Sequence, residues 1–178
     1  VFTADHGEEF WDHGSVGHGH SVFEELVRVP LIVRIPGLTD APMRLEDAVG
    51  LVDVAPTIYE ALGRPIPDDL SGESLVPLLR GESPPAPRAS VNGFMEGWRA
   101  IEMGTLKLVH RTDRVVMLYD LGADPHELTD VAASRPLTVR YLRGMLGLVL
   151  AGAERSTRAT DVEAETLEID ETLRNQLE

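Results

Sequence analysis

Four of the six histidines and four carboxylates fall within sixteen consecutive residues, Asp5-His6-Gly7-Glu8-Glu9-Phe10-Trp11-Asp12-His13-Gly14-Ser15-Val16-Gly17-His18-Gly19-His20. Carboxylate oxygen and imidazole nitrogen together are the usual ligands of Zn, Mn and Fe, whereas Ca and Mg prefer oxygen alone. Adjacent Asp5 and His6 reach one ion if the chain turns immediately after them, and Gly7 permits that turn through its tolerance of positive φ. His18 and His20, set among glycines, can fold back over the same ion and donate hydrogen bonds to an anionic substrate or a leaving group. The neighbouring groups have plainer readings. His13 and Asp12 fit a loop-stabilising role, and Glu8 and Glu9 are equally compatible with solvent and with catalysis. His110 on a strand and His126 in a turn read as structural, while Phe10, Trp11 and Trp98 suit either packing or pocket lining.

The elements that must position these residues follow from punctuation and periodicity. Val1–Ala4 is a β-prone run that delivers Asp5 at its carboxyl end, where ligands bind in α/β folds. Residues 8–20 read as a loop. Ser21 followed by Glu24 has capping-box spacing and predicts a helix over 21–28. An apolar strand is expected over 29–35, closed by Pro36-Gly37. Asp53 is a candidate N-cap for a helix over 54–62, ended by Gly63 and Pro65. One or two helical turns fit 73–79, and Pro84, Pro85 and Pro87 make a stiff connector. Beyond it, β-prone runs at 90–96, 98–103, 106–111 and 115–119 predict an antiparallel meander. Leu142, Met145, Leu146 and Val149 lie at helical spacing within 137–150, as suits a helix laid across that sheet.

Composition sets the outer bounds. The 178 residues carry 16 basic and 30 acidic side chains, a net charge of −14 with histidine neutral. That balance argues against nucleic acid as a partner, whose phosphates are held by Lys and Arg, and against adhesion to an anionic membrane. No apolar run approaches the roughly 18 residues that span a bilayer. The absence of Cys removes disulfides, thiolate zinc sites and Cys nucleophiles from these residues. Residues 154–178 hold eight acidic and three basic side chains, which predicts an acidic tail or an exposed terminal helix. Val1 opens as a strand already under way, and the helical pattern ending at Glu178 has no stop signal. The chain is therefore expected to be part of a longer protein.

Thr3-Ala4-Asp5-His6-Gly7-Glu8, Gly17-His18-Gly19-His20, Phe23-Glu24-Glu25 and Arg28-Val29-Pro30-Leu31-Ile32-Val33-Arg34 together resemble the C-terminal half of the sulfatase family, within the alkaline phosphatase-like superfamily. The resemblance continues through Val52-Asp53-Val54-Ala55-Pro56-Thr57, Gly72-Glu73-Ser74-Leu75, Leu106-Lys107-Leu108, Leu118-Tyr119-Asp120-Leu121 and Asp124-Pro125-His126-Glu127. It implies an α/β, alkaline phosphatase-like sandwich. Residues 1–87 would be the C-terminal part of the catalytic domain and its central sheet. Residues 88–152 would be a small antiparallel subdomain packed by a C-terminal helix, and 153–178 an acidic tail.

The same resemblance implies that Asp5 and His6 bind a divalent metal, Ca2+ foremost with Mn2+ or Zn2+ as alternatives. His18 or His20 would stand where many relatives have a lysine, contacting the sulfate ester and assisting the leaving group. Arg28, Pro30, Asp53 and Lys107 match positions that look structural. Sulfatases use a formylglycine nucleophile made from Cys or Ser in a Cys/Ser-x-Pro-x-Arg motif, which is absent here, as is a second metal-binding Asp pair. Both are expected in the N-terminal half, so the isolated segment should be inactive. The implied activity is hydrolysis of sulfate esters of a small molecule or glycan. Its rivals are a phosphodiesterase or phosphonate monoester hydrolase on the same fold, and a non-catalytic binding module. Family habit leans toward an extracytoplasmic enzyme, periplasmic or secreted.

Overall fold

A computed structural model describes residues 1–84, 87–94, 97–113 and 115–159. Strand β1 (Phe2–Thr3) pairs antiparallel with β4 (Leu31–Ile32), with Phe2 opposite Ile32. Between them lie a small hairpin, β2 (Glu9–Phe10) with β3 (Val16–Gly17), and the single-turn helix α1 (Glu24–Val27). Helices α2 (Val54–Ala61) and α3 (Val76–Leu79) follow. Strands β5 (Ala89–Phe94), β6 (Trp98–Met103), β7 (Leu106–Arg111) and β8 (Val116–Asp120) then form an antiparallel meander in sequence order. Helix α4 (Pro136–Ala159) completes the described chain.

The meander is a two-sided sheet because its strands alternate apolar residues toward both faces. Ile101, Leu108 and Leu118 cluster on one face with Leu142 and Leu146 of α4. Ala100, Val109 and Tyr119 cluster on the other with Val22 and Phe23, immediately before α1. The segment carrying the histidines is thereby packed onto the C-terminal sheet. A third cluster joins Leu75, Leu78 and Leu79 around α3 to Leu31, Val33 and Ile35.

Several expected elements change extent. Residues 8–20 contain the β2–β3 hairpin rather than an unbroken loop. Helix α1 starts after Phe23, with no side-chain cap: Ser21 does not cap it, and Glu24 is engaged elsewhere. Glu24 reaches the Lys107 ammonium, and Ser21 Oγ is buried with no hydrogen-bond partner among the described residues. Strand β4 covers two residues of the expected seven, Leu31–Ile32, and α3 begins at Val76. Asp53 precedes α2 as expected but makes no side-chain cap. Its buried carboxylate accepts instead from Gly50 N (2.9 Å) and Glu73 N (2.8 Å) and pairs with Arg88 (2.8 Å). The helix expected over 137–150 runs on to Ala159. The rest of the expected acidic tail and Pro85 of the connector lie outside the described residues.

Candidate active site

Asp5 and His6 emerge at the end of β1, with the Asp5 side chain 91% and the His6 side chain 44% exposed. Asp5 Oδ1 accepts from the His6 amide (3.1 Å), and Oδ2 lies 3.8 Å from His6 Nε2. His6 Nδ1 is 2.8 Å from the Gly7 carbonyl oxygen. A proton on Nδ1 directed at that carbonyl leaves Nε2 free to accept or to ligate, the usual way a backbone acceptor orients an imidazole. Gly7 is required here by close approach and not by a positive φ. Its amide donates to Leu26 O at 2.8 Å, and a Cβ would stand 2.0 Å from the Glu25 carbonyl oxygen. The turn that presents Asp5 and His6 is thus pressed onto α1.

His18 returns over this pair, its ring stacked on that of His6 with centroids 4.0 Å apart. Its Nδ1 lies 3.3 Å from Glu8 Oε2, which leaves Nε2 as the nitrogen available to a ligand. His20 is held differently. Its Nε2 lies 2.5 Å from Glu9 Oε2, and Glu9 is only 1% exposed. The other Glu9 oxygen accepts from the amides of His13 (3.0 Å) and Ser15 (2.6 Å), closing the hairpin around a buried carboxylate. The His20 imidazole holds the Glu9 carboxyl below the usual carboxylate range, and Glu9 in turn pushes the His20 imidazole up. Of the two histidines expected to fold over Asp5 and His6, only His18 stacks there. His20 serves the hairpin, and Glu9 is neither solvent-facing nor turned toward the Asp5–His6 pair.

His13 and Asp12 stabilise the loop. Asp12 Oδ2 accepts from the Phe10 amide at 3.0 Å. His13 stacks on Phe23 with centroids 3.8 Å apart, and its Nδ1 lies 2.7 Å from Glu25 Oε1 on α1. Lys107, expected to be structural, and Glu24, expected to cap α1, meet Glu127 and Glu102 in the interior behind α1, a cluster that sequence reasoning did not assemble. The available signal was a lysine at the centre of an apolar strand, Leu106-Lys107-Leu108.

The donors of Asp5 and His6 fit one divalent cation as part of its ligand set. Two bonds of about 2.1 Å each span up to about 4.2 Å between donors, and the observed separation is 3.8 Å. Among the described residues no group of three or more His, Cys, Asp or Glu side chains is arranged to hold a metal ion.

A strand ending in an Asp-His pair, with an antiparallel sheet capped by a long helix beyond it, makes up the C-terminal portion of an alkaline phosphatase-like sulfatase fold. Residues 13–140 match the family described as N-sulphoglucosamine sulphohydrolase, C-terminal, and the chain belongs to that family. Arylsulfatase K of Gallus gallus is 34% identical over 161 residues, covering 82% of this chain and 30% of the relative. A solved structure of a 2-O GAG sulfatase superposes with a TM-score of 0.73 at 25% identity, over 97% of this chain and 39% of the other. The phosphonate monoester hydrolase of Agrobacterium radiobacter has a TM-score of 0.73 at 30% identity, covering 85% and 34%. The chain therefore spans about 30% of the length of the curated relatives it matches.

Proposed function

We propose that this chain is the C-terminal portion of a metal-dependent sulfatase, in which Asp5 and His6 supply two ligands to a divalent cation and His18 contacts the sulfate ester. The observation that carries this reading is the stacking of His18 on His6, ring centroids 4.0 Å apart, beside the exposed Asp5 carboxylate. When bound, the cation supplies positive charge against the sulfuryl oxygens. As an imidazolium, His18 donates from Nδ1 to Glu8 and from Nε2 to the leaving oxygen, so one side chain is both oriented and able to give up a proton. His20, engaged by buried Glu9, supports the loop that carries His18. The formylglycine nucleophile and the remaining metal ligands belong to the part of the enzyme that this stretch does not contain.

A mixed imidazole and carboxylate pair suits Mn2+ or Zn2+ better than the Ca2+ expected from the family, since Ca2+ sites are built from oxygen. The substrate class is a sulfate ester of a small molecule or glycan, in keeping with the similarity to arylsulfatase K and to a 2-O GAG sulfatase. The similarity to a phosphonate monoester hydrolase supports a second reading, hydrolysis of phosphodiesters or phosphonate monoesters at the same site. The test is kcat/KM of the whole enzyme on matched aryl sulfate, aryl phosphodiester and aryl phosphonate monoester. A preference for the sulfate is expected. A preference of more than tenfold for either phosphorus ester assigns the second reading, and binding of a sulfated ligand without turnover of any ester assigns a non-catalytic module.

A further inference from the structure

Lys107 is fully buried on β7. Its ammonium lies 2.8 Å from Glu24 Oε1 on α1 and 3.0 Å from Glu127 Oε1 in the turn after β8. Glu102 faces Lys107 across the β6–β7 ladder and shares a hydrogen bond with Glu24. Glu127 Oε2 also accepts from the Glu24 amide at 2.6 Å. Tyr119 of β8 lies opposite Lys107 in the sheet and feels the charge of Glu127, His13 Nε2 lies 3.3 Å from the Glu127 carbonyl oxygen, and exposed Arg28, just after α1, has Nη1 3.8 Å from Glu24 Oε2. One buried ammonium therefore serves three carboxylates. Burial and like charge both penalise a third ionised carboxylate in such a cluster.

We propose that Lys107 and the three carboxylates around it form a proton-sharing lock that holds α1 in register with the C-terminal sheet, making Lys107 a positioning residue for Asp5, His6 and His18. The route is short. Helix α1 carries the Leu26 carbonyl that accepts from Gly7 and the Glu25 backbone against which Gly7 is pressed. The Glu25 side chain holds His13 Nδ1, and the Glu127 carbonyl lies 3.3 Å from His13 Nε2. The turn bearing Asp5 and His6 and the hairpin bearing His18 both lean on elements that the lock joins. Its bearing on catalysis rests on the reading of Asp5, His6 and His18 above, whereas the lock itself rests on the contacts just described.

The lock carries a pH dependence. Burial first, and then the charge of Glu24, push the Glu102 carboxyl from 4.5 up to about 7, while burial also raises that of Glu127. The folded cluster keeps a proton that the unfolded chain releases. Its contribution to stability is full below about 4.5, declines as pH rises toward about 7, and is level above that.

The test uses neither ester nor metal, so it stands apart from the sulfatase reading. The Glu102 carboxyl is titrated by carbon NMR, and exchange of the Gly7 amide is followed from pH 5 to 8 after correction for its intrinsic rate. Wild type should show Glu102 titrating near 7 and Gly7 protection falling at least about tenfold across the range. Glu102→Gln should remove that fall. Lys107→Met should lower Gly7 protection at every pH, and Lys107→Arg should restore part of it. A Glu102 titration near 4.5, or an unchanged pH dependence of Gly7 exchange in Glu102→Gln, overturns the proposal. The Glu102 variant decides the matter even where Lys107→Met does not fold.

Discussion

The imidazole of His18 lies face to face on that of His6, with ring centroids 4.0 Å apart and planes inclined by 27°. They are twelve positions apart in the sequence, and the β2–β3 hairpin brings them back together. This stacking separates the roles of the two histidines in Gly17-His18-Gly19-His20. In the whole enzyme, His18→Ala should lower kcat by about 10²–10⁴-fold with little change in melting temperature. His20→Ala should instead act mainly on stability, by stranding buried Glu9. Steady-state kinetics and thermal melts on both variants check this, and a larger kcat loss from a folded His20→Ala enzyme reverses the assignment.

Gly7 has no room for a side chain. A Cβ there would stand 2.0 Å from the Glu25 carbonyl oxygen, and both partners are backbone. Gly7→Ala should therefore destabilise the chain by about 1–3 kcal/mol and shift the Asp5–His6 turn. Gly147, on the middle of α4 with open space around it, is the control. There Ala should stabilise, by up to about 1 kcal/mol, through its higher helix propensity. Denaturant melts of the two variants should move in opposite directions.

The Glu9–His20 pair sets a stability window in pH. The Glu9 carboxyl is held low by His20, so its contribution is present above the ordinary carboxylate value of 4.5 and is lost as pH falls through its lower folded value. The His20 imidazole is raised by Glu9, so its contribution is full below the ordinary value of 6.5 and is lost as pH rises through the higher folded value. Melting temperature should show a shoulder between those limits that His20→Gln removes. Matching pH profiles for wild type and His20→Gln would show that the pair contributes nothing to folding.

Asp53 anchors the connector to α2. Its carboxylate takes the Gly50 and Glu73 amides and the Arg88 guanidinium, and Arg88 also reaches Glu73 Oε2 at 2.8 Å. Without Asp53 the Gly50 and Glu73 amides lose their acceptor, and Arg88 keeps only exposed Glu73 and the Ala48 carbonyl. Asp53→Ala should therefore cost about 3 kcal/mol or more in chemical denaturation. Arg88→Ala should cost less, because the two amides still satisfy the carboxylate. Equal costs would place the ion pair above the amide bonds in importance.

The C-terminal sheet was legible because each of its strands alternates apolar residues between turn signals, and β6 and β7 occupy the expected positions, Trp98–Met103 and Leu106–Arg111. Asp5 and His6 at a strand end were legible too, since their types and the glycine after them announce a turn. The hairpin was not. Its two-residue strands are held by Glu9, a charged residue whose burial no hydropathy pattern signals. The start of α1 was misplaced for a related reason. Ser21 and Glu24 have the spacing of a local cap, but Glu24 instead pairs with Lys107, 83 residues away in sequence. Long-range ion pairs leave no periodic trace, so the polar network behind the site emerges only in three dimensions.

The most direct test of the account is metal-dependent hydrolysis of an aryl sulfate by the whole enzyme, compared between wild type and Asp5→Ala. Chelated enzyme is titrated with Ca2+, Mn2+ or Zn2+, and turnover is followed at saturating substrate. The account predicts that metal restores wild-type turnover, while Asp5→Ala, still folded, stays lower by a factor on the order of 10³ at every metal concentration. Asp5→Ala turning over at the wild-type rate with the same metal dependence would contradict it.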